Sequence, residues 1–248
     1  MFPYSRIVVT FRALDPNFTS SNLFYNHNYP FYSTILSIIK SEDQELSKEI
    51  HENKYKRAFL FSNIIPTKRR NEFRIFITSQ HKKIQQAIAN GFSRLSTSRP
   101  LIIYYEGSQY LFSINNVNIQ SFSISDKNNT YRFNFLSYFI LRGEDGKPIE
   151  PKDDSEFSIY IKESLLRTVR SIGIKDEFDL RINGSCSFKK KLIKIKHEFY
   201  RAWSAASPKK TIEISGSELV AASALYLGIG DKTKMGFGML GIEKGAIE

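Results

Sequence analysis

Along this chain of 248 residues, the spacing of apolar side chains alternates between strand-like and helix-like, in one order, twice. Residues 5–14 carry Ile7, Val8, Val9 and Phe11 and predict a strand. Residues 29–40 place Tyr32, Ile35, Leu36 and Ile39 at helical spacing, and a short second helix is expected over 46–52. Residues 58–65 and 73–78 predict a hairpin, joined by a basic link containing Lys68, Arg69 and Arg70. A helix over 81–95 follows, with Ile84, Ala87, Ile88 and Phe92 on one face, and then strand-like residues 101–114 with turn residues Glu106-Gly107-Ser108.

After a polar stretch at 121–130 the order recurs. A strand is expected over 131–142. A capping box at Asp153 and Glu156 starts a helix that Gly173 ends. Strands are expected over 177–182, 186–199 and 211–214. Ser215-Gly216-Ser217-Glu218 offers a second capping box, ahead of a helix ending at Gly228, and 235–242 predict the last strand. Strand, helix, strand, strand, helix, strand is the ferredoxin-like unit. The expectation is an α+β fold of two tandem ferredoxin-like (RRM-like, β-α-β-β-α-β) units, residues 1–125 and 126–248. The halves share this pattern and no visible sequence repeat.

Between the last helix and the last strand lies Gly228-Ile229-Gly230-Asp231-Lys232-Thr233-Lys234-Met235-Gly236-Phe237-Gly238. Glycine lets backbone amides approach an anion, and Lys232 and Lys234 add charge. The segment is therefore expected against a phosphate backbone. The alternative is a hairpin that merely turns the chain. A P-loop is absent, and a dinucleotide fingerprint would need a strand before it and a helix after it.

A net charge of +11 suggests a polyanion, nucleic acid first and an anionic membrane surface second. The single cysteine, Cys186, allows no intramolecular disulfide and fits a reducing cytoplasm. No apolar run approaches the ~18 residues of a membrane span. The opening residues read as a strand rather than a signal peptide. The four histidines, His27, His51, His81 and His197, lack metal-ligand spacing. A cytoplasmic protein with no metal, cofactor or membrane partner is expected.

The glycine segment, together with Tyr25-Asn26-His27-Asn28-Tyr29, the helix after it, Glu49-Ile50-His51-Glu52 and Phe59-Leu60-Phe61-Ser62, resembles the CRISPR-associated repeat-processing endoribonucleases. This is the Cas-six family of the RAMP superfamily. The resemblance implies metal-independent cleavage of CRISPR repeat RNA, leaving a 5′-hydroxyl and a 2′,3′-cyclic phosphate. Partners would be repeat RNA, mature guide RNA and, in some settings, an effector complex, with the protein a monomer or homodimer. It also implies that His51 stands at the position of the active-site histidine. Arg57 stands where some members carry an assisting lysine, and Lys56 is adjacent. The assisting tyrosine would fall on Leu36, so Tyr32, one turn earlier, is its nearest substitute.

The chemistry suits these residue types. RNA supplies the 2′-OH nucleophile, and the enzyme supplies proton transfer and positive charge. An imidazole exchanges protons near neutral pH. RNA contacts are expected from Lys68, Arg69 and Arg70, from Lys189, Lys190, Lys191, Lys194 and Lys196 beside Phe199, Tyr200 and Trp203, and from the glycine segment. The ordinary explanations compete: a surface histidine at a helix end, a solvated basic turn, and lysines that guard a sheet edge. Two other functions compete as well, a non-cleaving RNA-binding subunit and a basic protein-interaction module.

Overall fold

A computed structural model gives the fold and describes residues 2–15, 18, 28–55, 57–105, 107–124, 129–143, 145–195 and 198–242. The first unit runs β1 (Phe2–Ala13), α1 (Asn28–Glu42), α2 (Gln44–His51), β2 (Leu60–Phe61), β3 (Ile65–Pro66), β4 (Glu72–Thr78), α3 (Lys82–Ser98), β5 (Leu101–Tyr105) and β6 (Ser108–Ile124). Its antiparallel sheet has the order β2-β4-β1-β6-β5, with β3 also on β4. Alternation along β1 turns Ile7, Val9 and Phe11 to one face, where they are fully buried. Ile35 and Ile39 of α1 and Ile84, Ile88 and Phe92 of α3 complete that core.

The second unit runs β7 (Thr130–Phe135), α4 (Asp154–Ser171), β8 (Phe178–Asn183), β9 (Phe188–Ile195), β10 (Glu198–Ala205), β11 (Thr211–Gly216), α5 (Glu218–Leu227) and β12 (Leu240–Ile242). Its main sheet has the order β12-β7-β11-β8. The first expected helix cap forms, with Asp153 accepting from the Glu156 amide at 3.0 Å; at the second the cap is Ser217, which accepts from the Val220 amide at 3.4 Å, and not Ser215 two residues earlier. Phe157, Ile161, Leu165 and Val169 of α4 are buried against the sheet with Val220, Ala221, Ala224 and Leu225 of α5. The fold is α+β with two ferredoxin-like units.

The turn expected over 106–108 forms at Gly107, where φ is +78°, between β5 and β6. Three local expectations are corrected. The expected linker at 121–130 begins as strand, because β6 continues to Ile124 by pairing with the start of β1. That extension carries Tyr4 and Ile124 into the second core, where Tyr4 lies 5.1 Å from the Tyr226 ring. Residues 186–199 are not one strand: β9 and β10 form a separate two-stranded sheet. Ile193, Ile195, Tyr200 and Ala202 bury one side of this hairpin against Tyr138, Ile140 and Phe237. Finally, 235–242 is mostly irregular, with a 3₁₀ turn at Thr233–Met235 ahead of the short β12.

Candidate active site

His51 is the last residue of α2, an eight-residue helix. A helix so short needs both ends tied down. At its start Asp43 accepts from the Leu46 amide at 2.8 Å. At its end Asn53 takes the left-handed conformation, with φ +58°. The Asn53 amide donates to the Ile50 carbonyl and the Lys54 amide to the Glu49 carbonyl, both at 3.1 Å. This pair of bonds is the Schellman stop, with asparagine in the position glycine usually takes. Leu46 and Ile50 hold the helix to the core and leave His51 exposed.

His51 lines a small pocket of about 70 Å³ with Tyr32, Ile50, Asn53, Tyr55, Ala58, Phe59 and Lys234. Tyr32 is half-buried, stacked on Phe59 at 5.6 Å, and burial raises its phenol pKa. Tyr55 donates to Glu49 at 3.1 Å, and that bond is the main cause of its raised pKa. Its ring meets His81 edge-on at 4.8 Å. Lys234 comes from the other unit, and its ammonium donates to Asn53 Oδ1 at 2.8 Å.

The glycine segment lies in the seam between the units. Gly228, Gly230, Gly236 and Gly238 are all buried. A Cβ on Gly236, where φ is +80°, would fall on the Phe61 ring; one on Gly238 would collide with the Ile229 carbonyl. The amides of Gly228, Ile229, Asp231, Gly236 and Gly238 donate to Ala224, Gly238, Ile140, Thr233 and Tyr138 carbonyls. In the structure these glycines let protein backbone pack against protein. Lys232 and Lys234 alone of the segment's expected RNA contacts are exposed.

Arg57 is engaged away from this pocket. Its guanidinium donates to the Leu227 carbonyl at 2.8 Å, at the end of α5. Burial lowers its pKa, opposed by the charge of Asp231. It ties the two units together and does not line the His51 pocket. Lys56 and Lys196, like His27 and His197, lie outside the described residues.

Residues 120–242, about half of the chain, match the family model described as CRISPR associated protein Cas6, C-terminal. The chain belongs to the Cas6 family. Its fold is similar to that of a Cas6-related gene product from Pyrococcus furiosus, with a TM-score of 0.72, 21% identity and coverage of 98% of this chain and 99% of that one. A structure described as an RAMP protein binding different RNA substrates gives a TM-score of 0.71 at 23% identity, covering 97% and 100%. A Cas6 product complex gives 0.58 at 14%, covering 96% and 99%. No curated protein matches the sequence.

The other basic residues expected to contact RNA fall, in this Cas6-family chain, in two further places. Lys68, Arg69 and Arg70 are exposed at the β3–β4 turn. Lys68 and Arg69 line a broad groove of about 760 Å³ with Arg74, Phe76, Thr10 and Asn116. On the β9–β10 hairpin Lys189, Lys190 and Lys194 are exposed and Lys191 is half-buried. Lys194 pairs across the strands with exposed Phe199, and Lys190 holds Glu150 at 3.1 Å. Lys232 reaches over the Tyr200 ring at 5.2 Å. Neither group lines the His51 pocket. Among the described residues no three of His, Cys, Asp or Glu gather as a metal site, and no helix is long and apolar enough to cross a membrane.

Sequence reasoning passed over Asn53 and Tyr55. Asn53 had a readable signal, since an asparagine two residues past a periodic helix is a stop. Tyr55 had none, because only the fold brings its ring against His81 and into the lining of the His51 pocket.

Proposed function

We propose that this chain is a metal-independent endoribonuclease that cuts CRISPR precursor RNA within its repeats and so generates guide RNA. The ribose 2′-oxygen attacks the adjacent phosphorus, and the bond from phosphorus to the 5′-oxygen breaks. One proton leaves the 2′-OH and one arrives on the departing 5′-oxygen. The products are a 2′,3′-cyclic phosphate and a 5′-hydroxyl. His51 carries one of these two proton transfers. The units 1–125 and 126–248 supply the histidine and the strand-holding surface respectively, with Lys68, Arg69, Arg70 and the hairpin lysines extending the grip on phosphates.

The observation that most supports this reading is the pocket that His51 shares with Lys234, an exposed lysine from the opposite unit. A proton carrier and a cation facing one small space are what phosphoester transfer requires. Membership in the Cas6 family supports the RNA substrate.

Incubation with repeat RNA in EDTA tests it. Wild type should cleave, and a 2′-deoxy nucleotide at the scissile position should abolish cleavage. His51→Ala should lose about 10²–10⁴-fold in rate with RNA affinity unchanged. Repeat RNA that binds tightly and stays intact with wild type would overturn the enzyme reading. Undiminished cleavage by His51→Ala would overturn the role of His51.

A further inference from the structure

We propose that Lys234 is the group that stabilises the developing negative charge on the scissile phosphate, and that Asn53 is the positioning residue that aims it. This rests on the endoribonuclease reading above and assigns a role that reading leaves unfilled.

The phosphorane-like transition state carries more negative charge on its non-bridging oxygens than the ground state does, so a fixed cation there accelerates the step. Arg57 is engaged with the Leu227 carbonyl across the seam. Among the described residues lining the His51 pocket, Lys234 is the lysine or arginine. Its chain is mobile by nature, and an exposed lysine holds no fixed direction unless something catches its ammonium. Asn53 does so at 2.8 Å, across 181 positions of sequence.

The catch is built from backbone that is itself fixed. Asn53 is the left-handed residue of the stop that makes His51 the last residue of α2. One residue therefore sets both where the helix ends and where the opposing ammonium sits. At the other end, Lys234 stands inside the 3₁₀ turn Thr233–Met235. The left-handed residues Lys232 and Gly236 bracket that turn, and Gly236 is pressed on Phe61. The ammonium keeps two donors beyond the Asn53 bond, enough for one phosphate oxygen.

The test separates this role from a structural one. Asn53→Gly keeps the helix stop, since glycine suits that position at least as well, and removes only the amide. Lys234→Ala removes the cation. Both should lower the single-turnover rate at saturating RNA by about 10- to 10³-fold, with RNA affinity and urea unfolding little changed. In a Cys186→Ser background, Lys234→Cys should be similarly slow, and aminoethylation of that cysteine should restore most of the rate. Cys186 is the other thiol to be removed, being half-exposed. A saturating rate unchanged in Lys234→Ala overturns the proposal. So does a loss confined to affinity, which would make Lys234 a ground-state phosphate grip. So does a failure of aminoethylation to restore rate. If His51→Ala is inactive while Lys234→Ala is fully active, this proposal falls and the enzyme reading stands. If wild type itself does not cleave, the enzyme reading falls first.

Discussion

Single residues in this molecule are often committed by their neighbours rather than by their type. Glu72 is nearly buried, yet its carboxylate is held charged. It accepts from Thr67 at 2.8 Å and from Asn115 at 3.1 Å, with Arg69 at 3.6 Å. Those bonds, the Thr67 hydroxyl first, depress its pKa below the usual glutamate value. A depressed carboxyl pKa adds stability that is complete above the unfolded value near 4.5 and fades as pH falls through the lower folded value. Glu72→Gln should therefore be less stable than wild type at pH 7, and the gap should close as pH falls below that value. Urea unfolding measured from pH 7 to pH 3 checks this. Arg57 teaches the same lesson from the other side. The sequence places a basic residue at a plausible catalytic position, and only the fold reveals that its guanidinium is occupied by a carbonyl 170 positions away.

At the scale of elements, regular stretches with strong periodicity were legible and short or interrupted ones were not. The helices α1, α3, α4 and α5 follow from apolar stripes, caps and stops that act locally. The β9–β10 hairpin was misread because Phe188 to Phe199 has continuous strand character. That stretch also offers neither glycine nor proline to signal a break. β12 shrank to three residues because Met235, Gly236 and Gly238 give their amides to the Lys232, Thr233 and Tyr138 carbonyls instead of to a ladder. The element most exposed to test is α2, whose eight residues depend on Asp43. Asp43→Ala should fray it and slow cleavage several-fold while leaving RNA affinity in place. Single-turnover kinetics and a binding titration on the same variant separate the two. An unchanged rate would mean that core packing by Leu46 and Ile50 alone fixes His51.

Across the whole molecule, the two units meet through a backbone seam. Gly228 and Gly236 let that seam close on Leu60 and Phe61, and Arg57 bridges it to Leu227. The glycines were visible in the sequence; their partners were not, because those contacts join residues far apart in the chain. Arg57→Ala should lose about 1–3 kcal/mol of stability by leaving a carbonyl unpaired, measured by urea unfolding. Full stability with abolished cleavage would instead return Arg57 to the chemistry.

The bond from Lys234 to Asn53 also sets a timetable. A ribosome makes His51 well before Lys234. Under the reading proposed above, the nascent chain lacks one half of its site until the second unit has emerged and folded against the first.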